Sequence, residues 1–115
     1  MKIIVAGGRD FADYSLMSGK LDFYFSNLKD VIIVCGEAKG ADSLGRRYAE
    51  EHNISVLSFP ADWNKYGKSA GFRRNEQMAE EADGLVAFWD GKSKGTEHMI
   101  SLMRDRKKQT KIVKY

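Results

Sequence analysis

The strongest constraint on this chain is an alternation of two periodicities. Five short runs rich in Val and Ile, at 3–6, 31–35, 54–59, 85–88 and 111–115, are separated by four stretches with helical spacing. All of this is contained in 115 residues, so each run passes through one helix before the next run begins. Strands joined through helices pair in parallel, and a parallel sheet is covered on both faces. Right-handed crossovers leave few arrangements, the simplest having strand order 3-2-1-4-5. The expected architecture is therefore α/β, three layers deep, around a five-stranded parallel sheet. Its winding direction reverses between strands one and four, and open α/β sheets bind ligands at such a reversal, outside the strand C-termini.

The details follow the same logic. Met17, Leu21, Tyr24 and Leu28 recur at spacings of four, three and four residues, which predicts a helix over 13–28 with Asp13 as its N-cap. Further helices are predicted over 42–52, 72–82 and 96–106, and 111–115 is expected to be an edge strand. The only proline, Pro60, closes the third strand, and the polar stretch 61–69 reads as a connection. No linker, repeat or low-complexity tract interrupts the order, so one domain over 1–115 is expected.

Composition excludes several classes. The hydrophobic share of 43% and charged share of 30% are those of a soluble globule, and no apolar run approaches the length that spans a bilayer. The apolar start is too short for a secretory signal. Cys35 is the only cysteine, which rules out a disulfide within the chain and a multi-cysteine zinc site. It is expected to be a packed core thiol. His52 and His98 are not at metal-ligand spacing, so no metal and no cofactor are expected. A cytoplasmic location without a membrane partner follows. The net charge is +3, with Arg104, Arg106, Lys107, Lys108, Lys111 and Lys114 crowded near the end. That cluster reads as a solvated helix terminus, and nucleic acid is the less favoured partner.

Four glycine-bearing turns precede predicted helices, and such turns let backbone N–H groups approach an anion. Gly7-Gly8-Arg9-Asp10 adds a guanidinium that suits phosphate. Gly36 to Asp42 brings Lys39 and Gly40 but lacks the pattern of a P-loop. Asp42 can cap its helix or meet a ribose hydroxyl. In the stretch 61–68, Asp62 and Trp63 lie beside Lys65 and Tyr66. Trp63 can stack on a base or cover the end of the core. Arg73 and Arg74, next to Asn75, oppose the dipole of the helix they open, a cost that a nearby anion explains. The fourth turn, Asp90 to Thr96, carries Gly91, Lys94 and Gly95, and Thr96 can cap its helix or bind a phosphate oxygen. His98 follows on the same helix, where a lone histidine is usually structural.

Taken together and in order, these motifs resemble those of the SLOG superfamily, in its small subgroup of bacterial and phage proteins related to YspA. The motifs are Gly7-Gly8-Arg9-Asp10, Gly36-x-Ala38-x-Gly40-Ala41-Asp42, Ala61-Asp62-Trp63-x-x-Tyr66-Gly67, Ala70-Gly71-x-x-Arg74-Asn75 and Gly91-x-x-x-Gly95-Thr96. The resemblance implies a Rossmann-like fold, a nucleotide or nucleotide-derived small molecule as ligand, and self-association. Related lonely guy enzymes, which are phosphoribohydrolases, carry R-K-x-x-M and G-G-x-G-T-x-x-E signatures. Arg74 matches their catalytic arginine and Gly95-Thr96 their G-T pair, whereas their glutamate position is Met99. Glu97, nearby, would point about 200° away around a helix from Met99.

The leading expectation is thus nucleotide binding at the strand C-termini. Arg9, Lys94 and Thr96 would hold phosphate, Arg74 would bridge phosphate and sugar, and Trp63 or Trp89 would stack on the base. The alternative is N-glycosidic hydrolysis of nucleoside monophosphates, with Arg74 and Glu97 as catalytic residues or with Asp10 or Asp90 as the carboxylate. Single-stranded nucleic acid, held at the basic C-terminal end, is the third reading.

Overall fold

The structure, a computed structural model, describes residues 1–115. Strands β1 (Lys2–Gly7), β2 (Ile32–Cys35), β3 (Ser55–Ser58), β4 (Gly84–Trp89) and β5 (Gln109–Lys114) form one parallel sheet, ordered β3-β2-β1-β4-β5. The crossovers are α1 (Tyr14–Phe25), α2 (Ala41–Glu51), α4 (Ala70–Glu81) and α5 (Lys94–Asp105), with a short α3 (Trp63–Tyr66) and one 3-10 turn (Gly67–Ser69) ahead of α4. The three-layer Rossmann-like architecture and the strand order are those the alternation implies.

Successive strand side chains point to opposite faces, and the two halves of the core follow that rule. Ile3 and Val5 of β1 join Met17, Leu21, Tyr48 and Ala49 of α1 and α2. Ile4 and Ala6, between them in sequence, join Met78, Ala79, Met99, Ile100 and Met103 of α4 and α5. Gly45 allows α2 to lie close on β1: a Cβ there would stand 2.9 Å from Val5 Cγ1. No helix is long and apolar enough to cross a membrane.

Four boundaries differ from expectation. Asp13 does cap α1, accepting from the Leu16 N–H at 3.0 Å, but the helix ends at Phe25, short of Leu28. The stretch after Pro60 is not a plain connection, because the Asp62 carboxylate accepts from the Lys65 N–H at 3.0 Å and starts the single turn of α3. Gly67, at φ +54°, ends that turn. Helices α4 and α5 each begin two residues earlier than the pattern indicates, at Ala70 and Lys94. In α5 the cap is Ser93 and not Thr96, whose buried hydroxyl lies 3.1 Å from Ser93 Oγ.

The basic residues near the end of the chain are also divided by the fold. Arg104, in the last turn of α5, and Arg106, Lys107 and Lys108, between α5 and the start of β5, lie at the sheet end away from the strand C-termini, whereas Lys111 is within β5 and Lys114 ends it. Lys108 is already engaged: its Nζ donates to the Ala79 and Glu80 carbonyls at 2.7 and 3.1 Å, neutralising the C-terminus of α4.

Candidate functional site

At the reversal between β1 and β4 the C-terminal edge of the sheet opens into a cleft of about 440 Å³. Its walls come from the loops after β1, β2 and β4, from the start of α2, the middle of α4 and the first turn of α5, including Gly8, Arg9, Asp42, Arg74, Ser93 and Gly95. The glycines here do two different kinds of work. Gly7 and Gly40 let backbone meet backbone, and Gly8 leaves room for the Tyr115 hydroxyl. The Gly8 N–H donates to the Phe88 carbonyl at 3.1 Å, and the Gly8 carbonyl accepts from the Phe11 and Ala41 N–H groups, both at 3.2 Å. A Cβ on Gly7 would fall 2.3 Å from the Phe88 oxygen. One on Gly40, at φ +73°, would fall 2.3 Å from the Gly8 oxygen. Gly95 is of the other kind: it lines the cleft in the first turn of α5, and a Cβ there would meet no protein atom within 4 Å.

A line of hydrogen bonds crosses the site. Arg74 Nη1 donates to the Gly36 carbonyl, and Arg74 Nε donates to Asn75 Oδ1 at 3.1 Å. Asn75 Nδ2 in turn donates to the Gly95 carbonyl at 3.2 Å. The loop after β2 is thereby tied through α4 to the N-terminus of α5. Burial lowers the pKa of the Arg74 guanidinium, opposed by the charge of Asp42. Asp42 is 5% exposed and, as the second residue of α2, does not cap it; the carboxylate reaches back to accept from the Ala38 N–H at 3.1 Å. Burial pushes its carboxyl up to about 6, against the pull of the Ala38 N–H and of Arg74.

The other two carboxylates in the cleft are held by hydrogen bonds of their own. Asp10 accepts from the Tyr115 hydroxyl at 2.6 Å. Asp90 accepts from the Lys92 and Ser93 N–H groups, both at 2.8 Å, and those bonds hold its carboxyl below the usual range. Arg9, by contrast, is exposed and enters none of the ion pairs in the chain. An incoming anion therefore meets a free guanidinium, the N-terminal end of α5, and acids whose charge is already engaged.

A second cleft of about 300 Å³ adjoins the first, with Arg9, Ala38 and Arg74 in the wall of both. Gly36, Lys39 and Trp63 line this second space, and Trp63 is 52% exposed. Of the residues singled out in the sequence, Gly7, Gly8, Arg9, Asp10, Asp42, Arg74, Asn75, Gly95 and Thr96 line the main cleft. Others do not, and each departure has a cause. Gly40 acts through its backbone. Asp62 is spent on capping α3. Trp89 donates from Nε1 to the Ser93 carbonyl at 3.0 Å and lies under Lys114, so its ring braces the loop after β4. Gly91, at φ +85°, sits beside Lys114 Nζ. Lys94 and Glu97 are exposed on α5 outside the cleft, and buried Met99 faces it instead.

Arg73 does not point into the cleft, because its guanidinium stacks on the Tyr66 ring at 4.5 Å. His98 Nδ1 lies 3.2 Å from Asn75 Nδ2, and burial keeps its pKa low. Cys35 is buried, and burial pushes its thiol up to about 12, so it stays neutral in the core. The first glycine turn does not open a helix as expected, since α1 starts only at Tyr14 and the intervening Phe11 is buried.

Asp90 stands where the sequence reading placed a possible carboxylate, whereas the parts played by Ser93 and Tyr115 are not anticipated there. A serine ahead of a helix is a capping signal that identifies Ser93. Nothing local could pair Tyr115 with Asp10, which are 105 residues apart.

Comparison with known proteins gives three findings. The model for the YspA, cpYpsA-related SLOG family matches residues 1–66. The Gene 61 protein of Mycobacterium phage D29 is 32% identical, over 86% of this chain and 85% of that protein. A solved structure of DNA processing protein A from Helicobacter pylori, described for its single-stranded DNA binding mode, superposes with a TM-score of 0.69 at 18% identity. The superposition covers 97% of this chain and 64% of that one, so the present chain spans a little under two thirds of it. At this identity the likeness is one of fold. It nevertheless overturns the expectation that nucleic acid is the less favoured partner, because the same fold serves a protein described as binding single-stranded DNA.

Proposed function

The chain belongs to the YspA, cpYpsA-related SLOG family, and from that membership and the geometry of the cleft we propose that residues 1–115 act as one unit that binds a nucleotide moiety. The observation that carries the reading is Gly95. Unlike Gly19, which also has room for a side chain, it lines the cleft, so the space it keeps open in the first turn of α5 is space for a ligand. The α5 N-terminus and Arg9 hold the phosphate, and Arg74, fixed by Gly36 and Asn75, faces the sugar-phosphate junction. The main cleft holds the whole of that moiety, and Trp63 lies outside it, in the wall of the second cleft.

The site is read as one that binds without splitting. Met99 faces the cleft where the related hydrolases carry glutamate, and Glu97 lies outside it. Calorimetric titration with a panel of nucleoside monophosphates, with chromatography of the same mixtures for free base, tests both statements. Binding without base release is the expected result. Base release would establish the hydrolytic alternative, and no binding across the panel would refute the proposal.

A second reading, favoured by the shared fold with a single-stranded DNA-binding protein, is that the nucleotide moiety belongs to a strand. Affinity for a strand would then fall steeply with salt. An Arg74→Ala change would weaken it together with nucleotide binding, because both use the same edge.

A further inference from the structure

Arg74 borders three hollows in succession, of about 440, 300 and 230 Å³. Beyond the main cleft comes the space under Trp63, bounded by Pro60 and Lys39. Beyond that is the hollow beside Tyr66, where the cations of Lys65 and Arg73 stand 5.1 and 4.5 Å from the ring. Pockets for small ligands begin at about 300 Å³, so the first hollow alone is of a size for one nucleotide and the series is too long for one. Rings and cations also alternate along it, as they do where proteins track a phosphodiester backbone with stacked bases.

Trp63 is the telling residue. Half-exposed, it lies beside Gly71, where a Cβ would stand 3.5 Å from Trp63 Cη2, and it belongs to neither core. Tyr66 is less suited to stacking, because cations already lie over its ring.

We propose that the site takes two phosphodiester-linked nucleotide units, one in the main cleft and the second stacked on Trp63, with the linking phosphate between Arg9 and Arg74. The inference rests on the nucleotide-binding reading above and adds the length of the ligand to it. The linked pair can come as a free dinucleotide or as part of a strand; the chemistry of recognition is the same.

Titration calorimetry with three probes tests this: a nucleoside 5′-monophosphate, the 5′-phosphorylated linear dinucleotide of the same base, and a single strand of about twelve nucleotides. Adenine and guanine series should both be run. The dinucleotide is expected to bind about tenfold more tightly than the monophosphate. Trp63→Ala should bring the dinucleotide down to the affinity of the monophosphate and leave the monophosphate unchanged, and Trp63→Phe should restore part of the difference. A strand that binds more tightly than the dinucleotide supports the two-unit site and identifies a polymer as its source. Equal affinity supports it with a free dinucleotide as the source. If monophosphate and dinucleotide bind equally, or if Trp63→Ala weakens both alike, one nucleotide spans both clefts and the two-unit site is wrong. Absence of binding by any probe would instead remove the nucleotide reading itself.

Discussion

Replacing Gly95 by alanine separates the needs of the fold from the needs of the ligand. Gly95 is the second residue of α5, exposed, with no atom within 4 Å of the position its Cβ would take. Alanine is favoured over glycine within a helix by up to about 1 kcal/mol, less at the first turn, so a gain near 0.5 kcal/mol is expected. For a domain of this size the unfolding entropy is about 0.24 kcal/mol per degree, and Tm should rise by roughly 2 °C. A methyl group at this point of the cleft blocks the approach of a phosphate to the helix end, and affinity for nucleotide should fall at least about tenfold. Gly19, on the exposed face of α1, supplies the control. Its Cβ also meets nothing within 4 Å, and it lies far from the cleft, so Gly19→Ala should stabilise the protein and leave binding alone. Thermal unfolding and titration calorimetry on the two variants measure both quantities. Wild-type affinity in Gly95→Ala would refute the argument that this glycine is kept for a ligand. A clear loss of stability would refute the claim that the space is free.

Gly40→Ala should do the opposite and cost about 3 kcal/mol or more, because a Cβ at φ +73° would meet the Gly8 carbonyl at 2.3 Å; a drop in Tm of less than a few degrees would contradict that. Asp42→Asn should change how stability depends on pH. The Asp42 carboxyl is raised from 3.8 to about 6 by burial, so the folded state holds the proton more tightly than the unfolded chain. Its contribution is fully present below pH 3.8 and is lost as pH rises through about 6, a swing of about 3 kcal/mol. The variant should therefore gain on the wild type between pH 4 and 7 in urea unfolding, and parallel curves would exclude the buried carboxyl as the source. Lys108→Gln removes two bonds to the carbonyls that end α4 and should cost about 1 kcal/mol while leaving strand binding unchanged. Weakened strand binding in that variant would place the strand at the basic end of the sheet instead of the cleft.

Much of this molecule is decided by the order of its residues. The alternation of β-branched runs with helical spacing is enough to set a parallel sheet, its strand order and the edge at which its cleft opens. Few chiral crossovers satisfy so short a chain. The glycine turns can be found the same way, and so can Arg74, because a cation near the start of a helix opposes its dipole.

What the chain order leaves undecided is which of those residues face the same space. Trp63 and Trp89 look alike in sequence, yet one stands exposed at the second cleft and the other is turned away to brace a loop. Lys94 and Gly95 are neighbours, but only Gly95 lines the cleft, since adjacent helical residues point in directions about 100° apart. The two kinds of glycine are indistinguishable until the atoms around them are known. Gly40 is demanded by a carbonyl some thirty residues away in the chain, and Gly95 by nothing within the protein. That contrast comes from long-range packing, and it is what turns a set of glycine-rich turns into a site with a direction.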